Sequence, residues 1–274
     1  MKKKEIIEGV TKEISKEVYT DLIQPVAKNV GSGLEIITSF FNNIALSPLK
    51  KFNIKYEQKI IAFQRQMEEK YNNISIENRV DPELHIVYPT MDALKYNILN
   101  DEVANMFCNL LVSDLDSKTQ KNCSPAFIKI IEQLRPFDAI IYKTIVELLK
   151  SEDKLPICNI EFTLETDKTK KLNKNPLPKN IVDVDLFKCD EYELSTSIEA
   201  LVRLGLLTVT YEKWISNNQV YEKLKNQKFV NVKLDEENSK DILKFESTVV
   251  LKGILYLSEF SLEFARVCLR DLEI

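Results

Sequence analysis

A chain that turns often needs glycine and proline, and this one offers five glycines and nine prolines in 274 residues. A sandwich or barrel asks for turn residues about every 8–12 positions. So little punctuation favours helices joined by polar loops, and the apolar residues are spaced accordingly. Asn100-Asp101 reads as a helix start, followed by Val103, Met106, Phe107, Leu110 and Leu111 at i, i+3, i+4, i+7 and i+8. Ser124-Pro125 opens another helix, with Phe127, Ile130, Ile131 and Leu134 inward. Pro136 opens a third, running to Lys150 and carrying Phe137, Ile141, Ile145 and Leu149. Helices this closely spaced pack antiparallel or at corners and form a core.

Upstream, residues 47–71 make a charged helix with Ile60, Phe63, Met67 and Tyr71 in line and Ser47-Pro48 at its start. Its lysines are interrupted by Glu57, Glu68 and Glu69, which reads as a solvated face. Residues 73–90 read as irregular or extended, punctuated by Pro82 and Pro89. The single histidine, His85, falls there and reads as structural.

The first 46 residues form a region of N-terminal apolar helices. Positions 6 to 30 repeat an apolar residue every four, a stripe that drifts round a helix unless Pro25 breaks it. In LEIITSFFNNIAL, residues 34–46, Ile37, Phe40, Phe41 and Ile44 share one face, and Thr38, Ser39, Asn42 and Asn43 the other. Such a face docks to a protein partner, to a second copy, or peripherally to a membrane. Interfacial helices usually carry Lys or Arg on the polar face, and this one does not, so the protein reading leads. No apolar run reaches 18 residues, and Glu5, Glu8, Glu13 and Glu17 oppose a secretory signal. The expected address is cytoplasmic, with peripheral contact at the inner face of the membrane as the alternative.

The C-terminal half changes character. A helix at about 193–204 ends at Gly205, LLTVTYEKW reads as a strand, and a polar excursion covers 216–246. STVVLKGILYL returns as a strand, and Ser258 caps a last helix through Leu272. Helix, strand, wing, strand is the layout of a winged helix. The expected fold is therefore mainly α: a helical core at 47–135, then a winged-helix-like α+β module at 136–274 with a small antiparallel sheet. A polar insert at 151–190, including DKTKKLNKNPLPKN, interrupts that module.

Such a module invites a DNA-binding reading, which charge opposes. Asp190, Glu191, Glu193 and Glu199 outnumber Arg203 along the recognition-helix position, and the wing from 212 to 246 balances seven lysines against seven acids. With a net charge of −4 and a pI near 5.4, the counterion-release contribution that dominates DNA affinity is missing. Nucleic acid is disfavoured, and a winged-helix DNA-binding regulator is kept as the alternative function. Trp214, with Tyr211 and Tyr221 nearby, is the candidate anchor for a partner.

Chemistry leaves little trace. The five cysteines lie far apart and read as reduced, buried thiols, and one histidine offers no local zinc set. Phosphate-loop, nucleophile-elbow and HExxH patterns do not occur, so no metal, cofactor or catalytic residue is assigned. A nuclease or hydrolase could still assemble carboxylates in space from 42 acids, and it stands as the third reading.

Three segments carry a family resemblance: SPLKKFNIKYEQKIIAFQRQMEEKY, YPTMDAL with NDEVANMFCNLLVSDLD, and CSPAFIKIIEQLRPFDAIIY. From Ser47 to about Leu149 the chain resembles the abortive infection alpha (Abi-alpha) family of prokaryotic phage-defence-associated proteins. LVRLGLL and LSEFSLEFARVC are similar to its downstream elements. Phe107 stands where the family tends to have Trp, Cys108 where Ala is usual, and Ser261 where Gly often lies. These are packing motifs, so the resemblance carries over no functional residue. It implies an antiviral role, and the residues imply that binding, not catalysis, performs it.

Overall fold

The computed structural model describes residues 33, 36, 37, 54–164, 173–240 and 244–272. It is mainly α with a small antiparallel sheet, and it divides into two compact units at residues 132/133.

In the first unit, α1 (Ile54–Asn72), α2 (Leu84–Asn97) and α3 (Asp101–Asp114) lead to α4 (Pro125–Gln133). α3 packs on both α1 and α2. The expected stripes are the buried ones: Ile60, Phe63, Met67 and Tyr71 on α1, and Val103, Met106, Phe107, Leu110 and Leu111 on α3. Helix α2 departs from expectation, because the segment read as irregular is helical from Leu84 with Pro89 inside it. The ring removes one backbone donor, the one that would reach His85. Burial of Ile86, Val87, Met91, Ala93 and Leu94 outweighs that loss.

Arg65, Glu68 and Glu69 on α1 are exposed as expected, but Lys59 and Lys70 depart from the solvated-face reading. Lys59 meets Asp101, Gln66 meets Asn105, and Lys70 meets both Asn105 and Asn109. Asp101, Asn105 and Asn109 recur every four residues, so one side of α3 is a polar seam against α1. The pairs ascend together along both helices, so α1 and α3 run parallel.

The second unit contains α5 (Pro136–Leu148), β1 (Leu155–Leu164), β2 (Asn173–Lys174), α6 (Glu191–Arg203) and β3 (Thr208–Thr210). α7 (Gln219–Lys225), α8 (Lys228–Lys240), β4 (Phe245–Tyr256) and α9 (Glu259–Cys268) complete it. Caps behave as expected for Ser258, which accepts from the Ser261 N–H, and for Gly205, which takes φ +75° after α6. Asn100 makes no side-chain cap to α3, and Asp190, read only for its charge, caps α6 by accepting from the N–H groups of Tyr192 and Glu193. Tyr142 donates to the Ser261 carbonyl at 2.9 Å and meets Phe264 edge-on, joining α5 to α9.

All strand pairs are antiparallel, in the order β2-β1-β4-β3. Two features differ from the winged-helix layout. The segment read as an insert supplies β1, which pairs with β4 from Leu155↔Leu255 to Leu164↔Phe245 and forms the middle of the sheet. The segment read as a polar wing contains α7 and α8. Tyr221 and Leu224, three apart on α7, and Val230 on α8 are buried with Cys158, Ile160, Phe162 and Phe245 of the sheet. That second core is what turns a polar sequence into helix. Beyond the strands, Ile181 makes an isolated antiparallel bridge to Cys158.

Candidate functional site

Where α3 ends, its apolar stripe runs on to an aspartate. Counting from Val103, the series i+3, i+4, i+7, i+8 reaches i+11 at Asp114, so an acid occupies a core position. Asp114 is fully buried. Its Oδ2 accepts from the Glu83 N–H at 2.9 Å, capping the first turn of α2 through space. Its Oδ1 has no hydrogen-bond partner. Burial pushes the pKa up to about 7, assisted by the Glu83 carboxylate and opposed by the Glu83 N–H.

The corner around it is tightly tied. Gln120 Nε2 donates to the carbonyls of Asp81 and Asp114, each at 2.8 Å. Val80 N–H donates to Leu115, Ser117 N–H to Asn78, and the Thr119 hydroxyl to Ser113. Arg79 bridges to Asp116 by backbone and lays its guanidinium 4.5 Å over the Tyr71 ring. His85 is exposed and pairs with Glu83 at 3.2 Å. Gly33 closes against this corner: a Cβ there would lie 2.6 Å from Leu115 Cδ2, 2.9 Å from Pro82 Cδ and 3.0 Å from the Val80 carbonyl.

The residues picked out by sequence fall in different places. Ile37 is 0% exposed, so its side chain is already covered within this chain. Phe40, Phe41 and Ile44 lie outside the described residues. Trp214 is 58% exposed, on the segment between β3 and α7. That segment is fixed at several points. The Tyr211 hydroxyl donates to Asn180 at 2.6 Å, the Tyr221 hydroxyl donates to the Gly253 carbonyl and accepts from Ile215 N–H, and Lys252 donates to Asn218. It therefore runs past β4 at Lys252 and Gly253. Val250 is the extra residue where the β1–β4 register shifts.

Among the cysteines, Cys108, Cys158 and Cys268 are buried, Cys123 and Cys189 are half-buried, and all five are thiols outside any disulfide. Burial raises the Cys158 thiol to about 12, far from a reactive thiolate. Among the described residues no His/Cys/Asp/Glu group of three or more is placed to hold a metal ion, and no helix is long and apolar enough to cross a membrane.

No curated protein and no solved structure gives a significant match to this sequence. A family model does: the one described as abortive infection alpha aligns with residues 55–268, through both units, and the chain belongs to that family.

Proposed function

We propose that this protein serves abortive infection, the phage-defence role its family membership indicates, by docking a protein partner at the Trp214 segment. One observation carries the reading. A tryptophan more than half exposed is held on a segment fixed by hydrogen bonds through Tyr211, Tyr221 and Asn218. Holding so large an apolar surface in place removes the ordering penalty that a partner would otherwise meet. Buried tryptophans are the commonest anchors at interfaces.

The acidic start of α6 argues against a groove of DNA as the occupant. The N-terminal face of Phe40, Phe41 and Ile44 serves as a second docking element, for protein first and for membrane as the alternative.

The test is survival of phage-challenged cells expressing Trp214→Ala. Protection should be lost while the thermal midpoint stays within about 0.5 kcal/mol of wild type, as for an exposed side chain. Full protection by this variant overturns the reading. The same assay on a chain lacking residues 1–46, and on Phe40→Asp with vesicle pelleting, separates the N-terminal contribution and its membrane form.

A further inference from the structure

We propose that Asp114 is a proton-operated latch, whose neutral carboxyl keeps the first turn of α2 and the seat of Gly33 closed and whose ionised carboxylate opens them to water. The geometry sets up the conflict. One oxygen holds the helix start through the Glu83 N–H, and the other has no donor within a fully buried site. A neutral carboxyl tolerates such a site, whereas a carboxylate with half its acceptor capacity unmet does not.

The element it holds is one that can move. Pro89 interrupts the backbone bonding of α2 one turn further on, so Leu84–Tyr88 depends on its outside contacts more than an ordinary first turn does. Gly33 rests on the carbonyl of Val80, the ring of Pro82 and the side chain of Leu115. Any opening of the 80–88 segment takes away two of those three supports.

The charged groups around the carboxyl do not neutralise it. Glu83, the residue before α2, is an acid, and its side chain meets the exposed His85 at 3.2 Å. From the turn after α3, Asp116 accepts from Lys118 N–H and bridges to Arg79, and Gln120 reaches the backbone of Asp114 with a neutral amide. Asp81 shares that same amide through its carbonyl.

Sign follows from linkage. Burial raises the carboxyl to about 7 when closed, and an opened, hydrated carboxyl returns to the ordinary carboxylate range. Opening therefore releases a proton and becomes about tenfold more favourable per pH unit below about pH 7, then levels off. Integrated from about pH 5 to pH 7, the opening equilibrium rises roughly fiftyfold.

Hydrogen exchange on the full chain, corrected for the intrinsic rate, reads this directly. Peptides covering 80–88 should lose protection about fiftyfold over that interval, while peptides from α5 stay level. Asp114→Asn, which keeps an acceptor for Glu83 N–H but cannot ionise, should abolish the slope. A wild-type slope that is absent, or equal in 80–88 and α5, overturns the latch, as does a slope that Asp114→Asn retains. If that variant fails to fold, carbon NMR of labelled aspartate decides. A buried aspartate titrating near neutrality in step with exchange at 80–88 supports the latch, and none doing so overturns it.

Discussion

Two aspartates, one in each unit, cap helix starts with side chains almost wholly out of water, and they hold their protons very differently. Asp138, at the third position of α5, accepts from the Arg135 N–H and from two nitrogens of its guanidinium. Burial pushes its pKa up, but the Arg135 guanidinium, the Ser197 hydroxyl and the Arg135 N–H together outweigh burial, and the value falls below the usual carboxylate range. Asp114 is as closed to water, lies deeper and has one donor, and its value rises. Depth of burial and the number of donors brought to a carboxylate together decide its charge. Sequence distance also separates them. Arg135 is local and arrives with the helix start, whereas Asp114 depends on a backbone donor 31 residues away.

Removing the well-served carboxylate should cost most. Asp138→Ala strips the start of α5 of its cap and leaves the Arg135 N–H without its acceptor. A loss of about 3 kcal/mol is expected, at the lower end for a broken buried pair because Arg135 itself can hydrate. Denaturant midpoints measure it. Arg135→Ala comes next, at roughly 2 kcal/mol near neutral pH, because it leaves Asp138 with fewer donors in the same burial. It makes the α5 site resemble the α3 site. The wild-type pairing stabilises above the ordinary carboxylate range and is lost as pH falls through the depressed value. Arg135→Ala should therefore move the acid-unfolding midpoint upward, and an unmoved midpoint would show that the pairing does not govern Asp138. Gly33→Ala tests how firmly the Asp114 corner is closed. Its Cβ meets Leu115 at 2.6 Å and a backbone carbonyl at 3.0 Å, so overpacking by about 1–2 kcal/mol is expected in thermal unfolding.

Sequence exposed one of these sites better than the other, for a physical reason. Helices set their own period, so the stripes of α1 and α3, the start of α5 at Pro136 and the stop at Gly205 could be read from spacing alone. Asp114 also stood in plain view as an acid at a stripe position, yet spacing says nothing about what comes across to meet it. The polar seam of Lys59, Gln66 and Lys70 shows the same limit. Those residues look like a solvated face until α3 presents Asp101, Asn105 and Asn109. Sheet partners are hidden for a like reason: β1 looked like part of an insert because its partner β4 lies some 80 residues downstream. Burial on that sheet, more than local propensity, makes helices of α7 and α8.

The smallest effect should come from Asp114→Ala, and its pH dependence is what separates the two aspartates. Deleting this carboxyl gives up one hydrogen bond to the Glu83 N–H, about 1 kcal/mol, but it also removes a group that resists ionising where it stands. With its folded value raised, Asp114 contributes stability that is fully present below the ordinary carboxylate range and lost as pH rises towards about 7. The cost of Asp114→Ala should accordingly be greatest in acid and fall below about 1 kcal/mol at neutral pH and above. The cost of Asp138→Ala should run the other way, shrinking as pH falls through that group's depressed value. Urea midpoints of both variants, taken from acid to about pH 8, would show slopes of opposite sign. Parallel slopes would mean that donor count does not set the charge at these two helix starts.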